Sequence, residues 1–159
     1  EMCSLTHRPL RGLEHNRKET EVKILVVEDV GICRDNAELI LNQLCGIPKE
    51  NIELARWYSE AEEKIVSDTK FDVILLDHHM PRVDPEMDDR DDRFYDLCQK
   101  IGYGLLPHIQ EHQPQAVVIG TSSLDEREIG RFERPELKLS KPDMFDELPG
   151  LIQSVRERI

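Results

Sequence analysis

Five side chains stand where short apolar runs stop. Glu28 and Asp29 follow the run 22–27, Asp77 follows 71–76, Thr121 follows 116–120, and Lys141 comes just after 137–139. Three carboxylates brought together repel one another and call for a cation, and hard oxygen ligands select Mg²⁺ or a similar ion. A lysine and a hydroxyl at the rim of such a site suit a phosphoryl group, whose oxygens need positive charge and hydrogen bonds. The chemistry is then phosphoryl transfer with a carboxylate as nucleophile. Whether these groups meet depends on the elements that carry them.

The runs Val22-Lys23-Ile24-Leu25-Val26-Val27, Phe71-Asp72-Val73-Ile74-Leu75-Leu76 and Ala116-Val117-Val118-Ile119 are β-branched and apolar, as suits strands covered on both faces. Asn51–Arg56 alternates weakly and reads as a strand, and Leu137-Lys138-Leu139 as a brief fifth one. Between them, Cys33, Ala37, Ile40 and Leu44 recur at helical spacing, with Gly46 as the stop. Ser59 and Glu62 predict a capping box for a helix over 60–68. Leu97, Ile101, Leu105 and Ile109 predict another, and Leu148, Ile152 and Val155 a last one that starts near Asp146 so as to accommodate Pro149. The βα alternation predicts a doubly wound α/β fold, a five-stranded parallel sheet with helices on both faces. In such a sheet, ligands bind beyond the carboxyl ends of the strands, where all five singled-out residues lie.

Composition narrows the classes. The 159 residues suit one domain, and 33 acids against 21 bases give a net charge of −12, unlike a nucleic-acid or anionic-membrane surface. The four cysteines form no CxxC pair, so a reduced, cytoplasmic compartment is expected, and Cys33 and Cys45 should pack as small hydrophobes. No apolar run approaches a membrane span or a signal peptide. Residues 1–20 lack periodicity and read as a polar leader or linker before a domain at 21–159.

From Val22 onward the chain resembles a two-component response-regulator receiver domain. The matching pieces are V-V-E-D (26–29), I-L-L-D-H-H-M-P (74–81), V-I-G-T-S-S (118–123) and K-P (141–142), in order and each at a predicted strand end. The resemblance implies a flavodoxin-like strand order 2-1-3-4-5. Asp77 matches the phosphoacceptor, attacking a phosphohistidine on a histidine kinase or histidine phosphotransfer protein. Glu28 and Asp29 match the acidic pair that holds Mg²⁺ with Asp77, and the backbone carbonyl of His79 would complete the shell. Thr121 matches the switch hydroxyl, Lys141 the lysine that pairs with the phosphoryl group, and Pro142 implies a cis peptide. Ser122 is small, as the family needs beside an incoming phosphoryl group. The resemblance further implies an unidentified downstream protein, no direct nucleic-acid or membrane contact, and a monomer or phosphorylation-dependent dimer. No output domain is expected after the last helix, which would leave a stand-alone regulator or a module of a larger protein.

Departures are as informative. Between Asp77 and Thr121 lie 43 residues, longer than an ordinary connection plus helix by about a dozen. The extra length is acidic: 84–96 holds seven acids against Arg90 and Arg93, which accounts for five units of the net charge, and Glu28, Asp29 and Asp77 for three more. It lacks the glycine and spacing of a calcium loop and reads as a solvated loop, with partner recognition as the sharper alternative. The segment between Thr121 and Lys141 is short, so its helix should be stunted, with Ser123 and Glu126 as a capping box. Lys138 stands where the family often has an aromatic switch. Neighbours His78 and His79 point to opposite sides, so they do not share a metal, and one ring should face the site. Two other readings stay open: an aspartyl-nucleophile phosphatase, in which His79 would replace the usual second acid, and a degenerate receiver that binds partners without phosphate.

Overall fold

The computed structural model describes residues 22–159. The segment read as a leader lies outside the described residues. In chain order the strands are β1 Ile24–Val27, β2 Ile52–Ala55, β3 Val73–Leu76, β4 His79–Pro81, β5 Cys98–Lys100, β6 Val117–Gly120 and β7 Leu137–Lys138. Five of them form a parallel main sheet in the spatial order β2-β1-β3-β6-β7. Counting those five alone, this is the 2-1-3-4-5 order. Along β1 and β3 the side chains alternate between two cores. Ile24, Val26, Val73 and Leu75 pack towards α1 (Gly31–Leu39) and α6 (Met144–Arg158), in a core with Leu41, Leu148 and Ile152. Leu25, Val27, Ile74 and Leu76 pack towards α2 (Tyr58–Val66) and α4 (Leu106–His112), with Ile65, Leu105 and Ile109. Two-sided burial explains the continuous apolar runs, each side chain contributing about 1.5–3 kcal/mol of transfer free energy.

Several local expectations are corrected. The helix expected through 97–109 is broken into α3 (Phe94–Leu97), strand β5, a 3₁₀ turn at Gly102–Leu105, and α4. β5 pairs antiparallel with β4, so a tertiary ribbon replaces the helix there. Gly102 fixes the break: a Cβ on it would lie 1.9 Å from the Asp77 carbonyl oxygen.

The first helix ends in a π turn, Ile40–Leu44, before Gly46 at φ +69°. The wider turn moves the seam, so that Leu41 is fully buried while Leu44 stays 48% exposed. α2 starts at Tyr58 without a side-chain cap, and the Ser59 N–H donates to the carbonyl of Arg82 just after β4. The capping box after β6 is Asp125 with Glu128, not Ser123 with Glu126, and the helix it opens, α5 (Glu126–Ile129), is indeed short. α6 begins at Met144, two residues early, and contains Pro149. The missing N–H deprives only Phe145 in the exposed first turn, whose carbonyl can meet water. The Lys141–Pro142 peptide is trans rather than cis. Pro142 lies in the first turn of a 3₁₀ segment, where its fixed φ is suited, and trans is the cheaper isomer by about 0.5–1 kcal/mol.

Candidate functional site

The carboxyl ends of β1 and β3 bring Glu28, Asp29 and Asp77 together, with ligand oxygens all within 4.8 Å of one another. All three are buried. They cannot retreat into solvent, because the chain that carries them is held as it leaves the strands: the Glu28 N–H donates to Ala55 O at 2.9 Å and the Asp77 N–H to Val27 O at 3.2 Å. Lys141, from the turn after β7, reaches across to Glu28 Oε2 at 2.9 Å and to Asp77 Oδ2 at 3.1 Å. The other oxygens are held too: Val30 N–H donates to Glu28 Oε1 at 3.1 Å, and His78 N–H to Asp77 Oδ1 at 2.8 Å. Arg34 clamps the loop from behind, donating to the Glu28 carbonyl at 3.0 Å and the Asp29 carbonyl at 3.3 Å.

One ammonium shared between two carboxylates does not balance three. Burial pushes the Glu28 carboxyl up to about 8, and the charge of Asp77 adds to that shift against the opposing pull of Lys141. Burial and Asp77 raise Asp29 in the same direction. Burial alone would lower Lys141, but the Asp77 and Glu28 carboxylates outweigh it and hold the ammonium well above its usual range. The cluster thus lacks positive charge. Its donor set, three buried carboxylate oxygens from separate residues, fits a hard divalent cation.

Thr121 is 2% exposed; its N–H donates to Leu76 O at 2.9 Å, placing it at the end of β6 beside the cluster. With Glu28 and Lys141 it lines a cavity of about 300 Å³ between α1 and the start of α6. Ser122 lies on the opposite side, lining a larger chamber of about 560 Å³ with Asp29, Asp77 and Lys141.

The histidines divide as alternation requires. His79 lines that chamber and its ring lies 5.0 Å from Tyr95. His78 is fully buried, stacked on Tyr103 at 4.4 Å, and its Nδ1 accepts the Tyr103 N–H at 2.9 Å. Burial lowers its pKa to about 4, so the ring is neutral and its proton sits on Nε2, which has no hydrogen-bond partner among the described residues. His78 anchors the backbone as well, its carbonyl accepting from both Ile101 N–H and Gly102 N–H.

Some neighbours of the site carry no signal in the sequence. The Cys98 thiol donates to Asp29 Oδ2 at 3.4 Å, and burial pushes it up to about 12, so it remains a donor. Asp89 Oδ2 accepts the Gly31 N–H at 2.7 Å, across 58 residues of chain. The expected solvated loop is therefore pinned over the site. Gly102 could have been found: a glycine inside a helical pattern often marks a close approach.

Solved structures share this fold. A response regulator receiver protein from Sinorhizobium medicae aligns with a TM-score of 0.63 at 17% identity, covering 86% of this chain and 94% of that one. A response regulator from Burkholderia pseudomallei, with a phosphorylated aspartic acid, calcium ion and citrate, aligns at TM-score 0.58 and 17% identity, covering 86% and 69%. The receiver domain of NtrC4 from Aquifex aeolicus aligns at TM-score 0.53 and 22% identity, covering 86% and 97%. No protein-family model and no curated protein matches the sequence. Among the described residues no helix is long and apolar enough to cross a membrane. The chain has the fold of response-regulator receiver domains, and in it the antiparallel β4–β5 ribbon carries a strap beside the strand ends.

Proposed function

We propose that residues 21–159 form a receiver domain, a phosphorylatable switch that takes a phosphoryl group onto Asp77 from the phosphohistidine of a histidine kinase or histidine phosphotransfer protein. The observation that carries this is the convergence of Lys141 Nζ on Asp77 Oδ2 at 3.1 Å with Glu28 and Asp29 close by, all at the carboxyl edge of one sheet. The phosphorylated aspartic acid and calcium ion of the Burkholderia structure support it by likeness of fold.

Glu28, Asp29 and Asp77, with the backbone carbonyl of His79, would hold Mg²⁺. When bound, that ion would offset the clustered charge and take up charge on the phosphoryl oxygens. Asp77 attacks phosphorus; a P–O bond forms as the donor's P–N bond breaks, and the imidazole leaves. Lys141 moves from pairing the carboxylate to pairing a phosphoryl oxygen, and the Thr121 hydroxyl donates to another. Ser122, being small, leaves room for the group. His79 lines the chamber from which water would reach the acyl phosphate, and its ring tunes hydrolysis. We place the protein in the cytoplasm, where Cys33, Cys45 and Cys98 stay as free thiols.

Beryllofluoride with Mg²⁺ tests this reading. Wild type is expected to bind it with a change in amide NMR shifts at 121–123 and around Lys141, and Asp77→Asn is expected to lose that response. Wild type without any Mg²⁺-dependent response would overturn the reading and leave a binding module without phosphate. Sustained release of phosphate from small esters would point to a phosphatase.

A further inference from the structure

The strap between β4 and β5 lies where a phosphodonor must approach. β4 leaves directly after Asp77-His78, and β5 returns just before Gly102, so both ends are tied beside the phosphoacceptor. The middle is fastened on the far side. α1 has no side-chain cap at Val30, and Asp89 supplies one through its 2.7 Å bond to the Gly31 N–H. Cys98 adds the second tie, to Asp29. The chamber of about 560 Å³ left beneath has Asp77, Lys141 and Ser122 on its floor and Asp89, Asp91 and Asp92 on its strap side.

The strap's arginines do not neutralise this roof. Arg93 pairs with Asp91 and Arg90 with Asp88, each at 3.0 Å, and Lys100 pairs with Glu128. Among the described residues this leaves Asp89 and Asp92 without a cation on the strap side, and the chamber lined by six acids against Arg90, Lys100 and Lys141. Acids on a loose loop would be screened and idle. Fixed over the cleft by the Asp89 bond to the Gly31 N–H, they set the potential that an incoming donor meets.

We propose that the strap selects the phosphodonor: it disfavours small free phosphodonors, which are anions, and favours a protein that carries lysine or arginine side chains around its phosphohistidine. The proposal rests on Asp77 as phosphoacceptor. With either donor a P–O bond to Asp77 forms as a P–N bond breaks, and the leaving nitrogen departs as a neutral amine or imidazole with its proton from the donor or from solvent. The chamber is roomy enough for a small donor, so the discrimination is by charge and must respond to salt.

The test measures acyl-phosphate formation on Asp77 with Mg²⁺ between about 0.02 and 0.5 M NaCl. The donors are phosphoramidate and two phosphohistidine peptides, one flanked by lysines and one by glutamates. For wild type, the phosphoramidate rate is expected to rise about threefold or more with salt, while the lysine-flanked peptide slows. At low salt the lysine-flanked peptide is expected to outrun the glutamate-flanked one about tenfold. In the double variant D89N/D92N the amide oxygen introduced at position 89 can still cap α1 while both charges are gone. There phosphoramidate should react faster at low salt, and both salt slopes should flatten. Equal rates for the two peptides, a flat or falling phosphoramidate rate in wild type, or a double variant that behaves as wild type would overturn the proposal. If Asp77 is phosphorylated but the slopes do not oppose, the strap's role alone fails. If no donor phosphorylates Asp77 at any salt and beryllofluoride does not bind, the phosphoacceptor reading fails and takes this one with it.

Discussion

The acids at the strand ends and the acids of the strap are the same residue types put to opposite conditions. Glu28 is buried beside two other carboxylates, and its carboxyl is pushed up to about 8. Asp91 is half-buried and hydrogen-bonded by Arg93, which pulls it down to about 2. One region holds buried negative charge that the fold does not neutralise, the other negative charge that water reaches and that arginines pair only at Asp88 and Asp91. Charge count alone would rank the strap as the more acidic site. Burial reverses the order, because an uncompensated charge costs little in water and several kcal/mol inside.

The sharpest break of this contrast is the removal of a cation from each region. Lys141→Ala should cost the metal-free protein on the order of 3–5 kcal/mol in urea unfolding, with part of the loss restored by Mg²⁺. Arg93→Ala should leave the midpoint unmoved. The glycines give a second, smaller contrast. Gly102→Ala drives a Cβ into the Asp77 carbonyl and should destabilise by about 1–3 kcal/mol while altering the strap, whereas Gly150, with nothing within 4 Å of a built Cβ, should gain about 0.4–1 kcal/mol as alanine.

Asp89→Ala removes the cap of α1 and should cost about 1 kcal/mol, accompanied by faster tryptic cleavage after the exposed Arg90 and Arg93. Asp89→Asn should keep most of that stability.

The pH dependence sharpens the same comparison. Glu28 binds its proton more tightly folded, at about 8, than at its ordinary value of 4.5. Its contribution to stability is therefore complete below about pH 4.5 and disappears as pH rises to about 8. Metal-free wild type should lose stability relative to Glu28→Gln across that window, and Mg²⁺ should bind more tightly as pH rises, releasing protons on the way. Asp91, pulled down to about 2, stays ionised folded and unfolded across that window and adds no pH dependence there.

How much of this was legible in the sequence follows the same division. Strand ends were readable because runs such as Val73–Leu76, covered on both faces, tolerate no polar residue until the chain leaves the sheet, so Asp77 marks its own position. The 2-1-3-4-5 order came from resemblance to receivers and matches the sheet. The strap was not readable. Its path depends on one antiparallel ribbon, His79–Pro81 with Cys98–Lys100, and on the Asp89 bond to Gly31, all pairings between residues far apart in the chain. The periodicity of Leu97, Ile101, Leu105 and Ile109 was genuine but belonged to separate elements. Helix starts slipped for a related reason: Ser59 and Ser123 have the chemistry of caps, but tertiary bonds and Asp125 took the role.

The central claim is that Asp77 accepts the phosphoryl group. The direct measurement treats wild type with Mg²⁺ and phosphoramidate at high salt, reduces any acyl phosphate with borohydride, and locates the product by peptide mass spectrometry. The account predicts homoserine at position 77 and nowhere else, lost when Mg²⁺ is omitted. Unreduced Asp77 in a protein phosphorylated at another residue, or reduction at 77 that is indifferent to Mg²⁺, would contradict it.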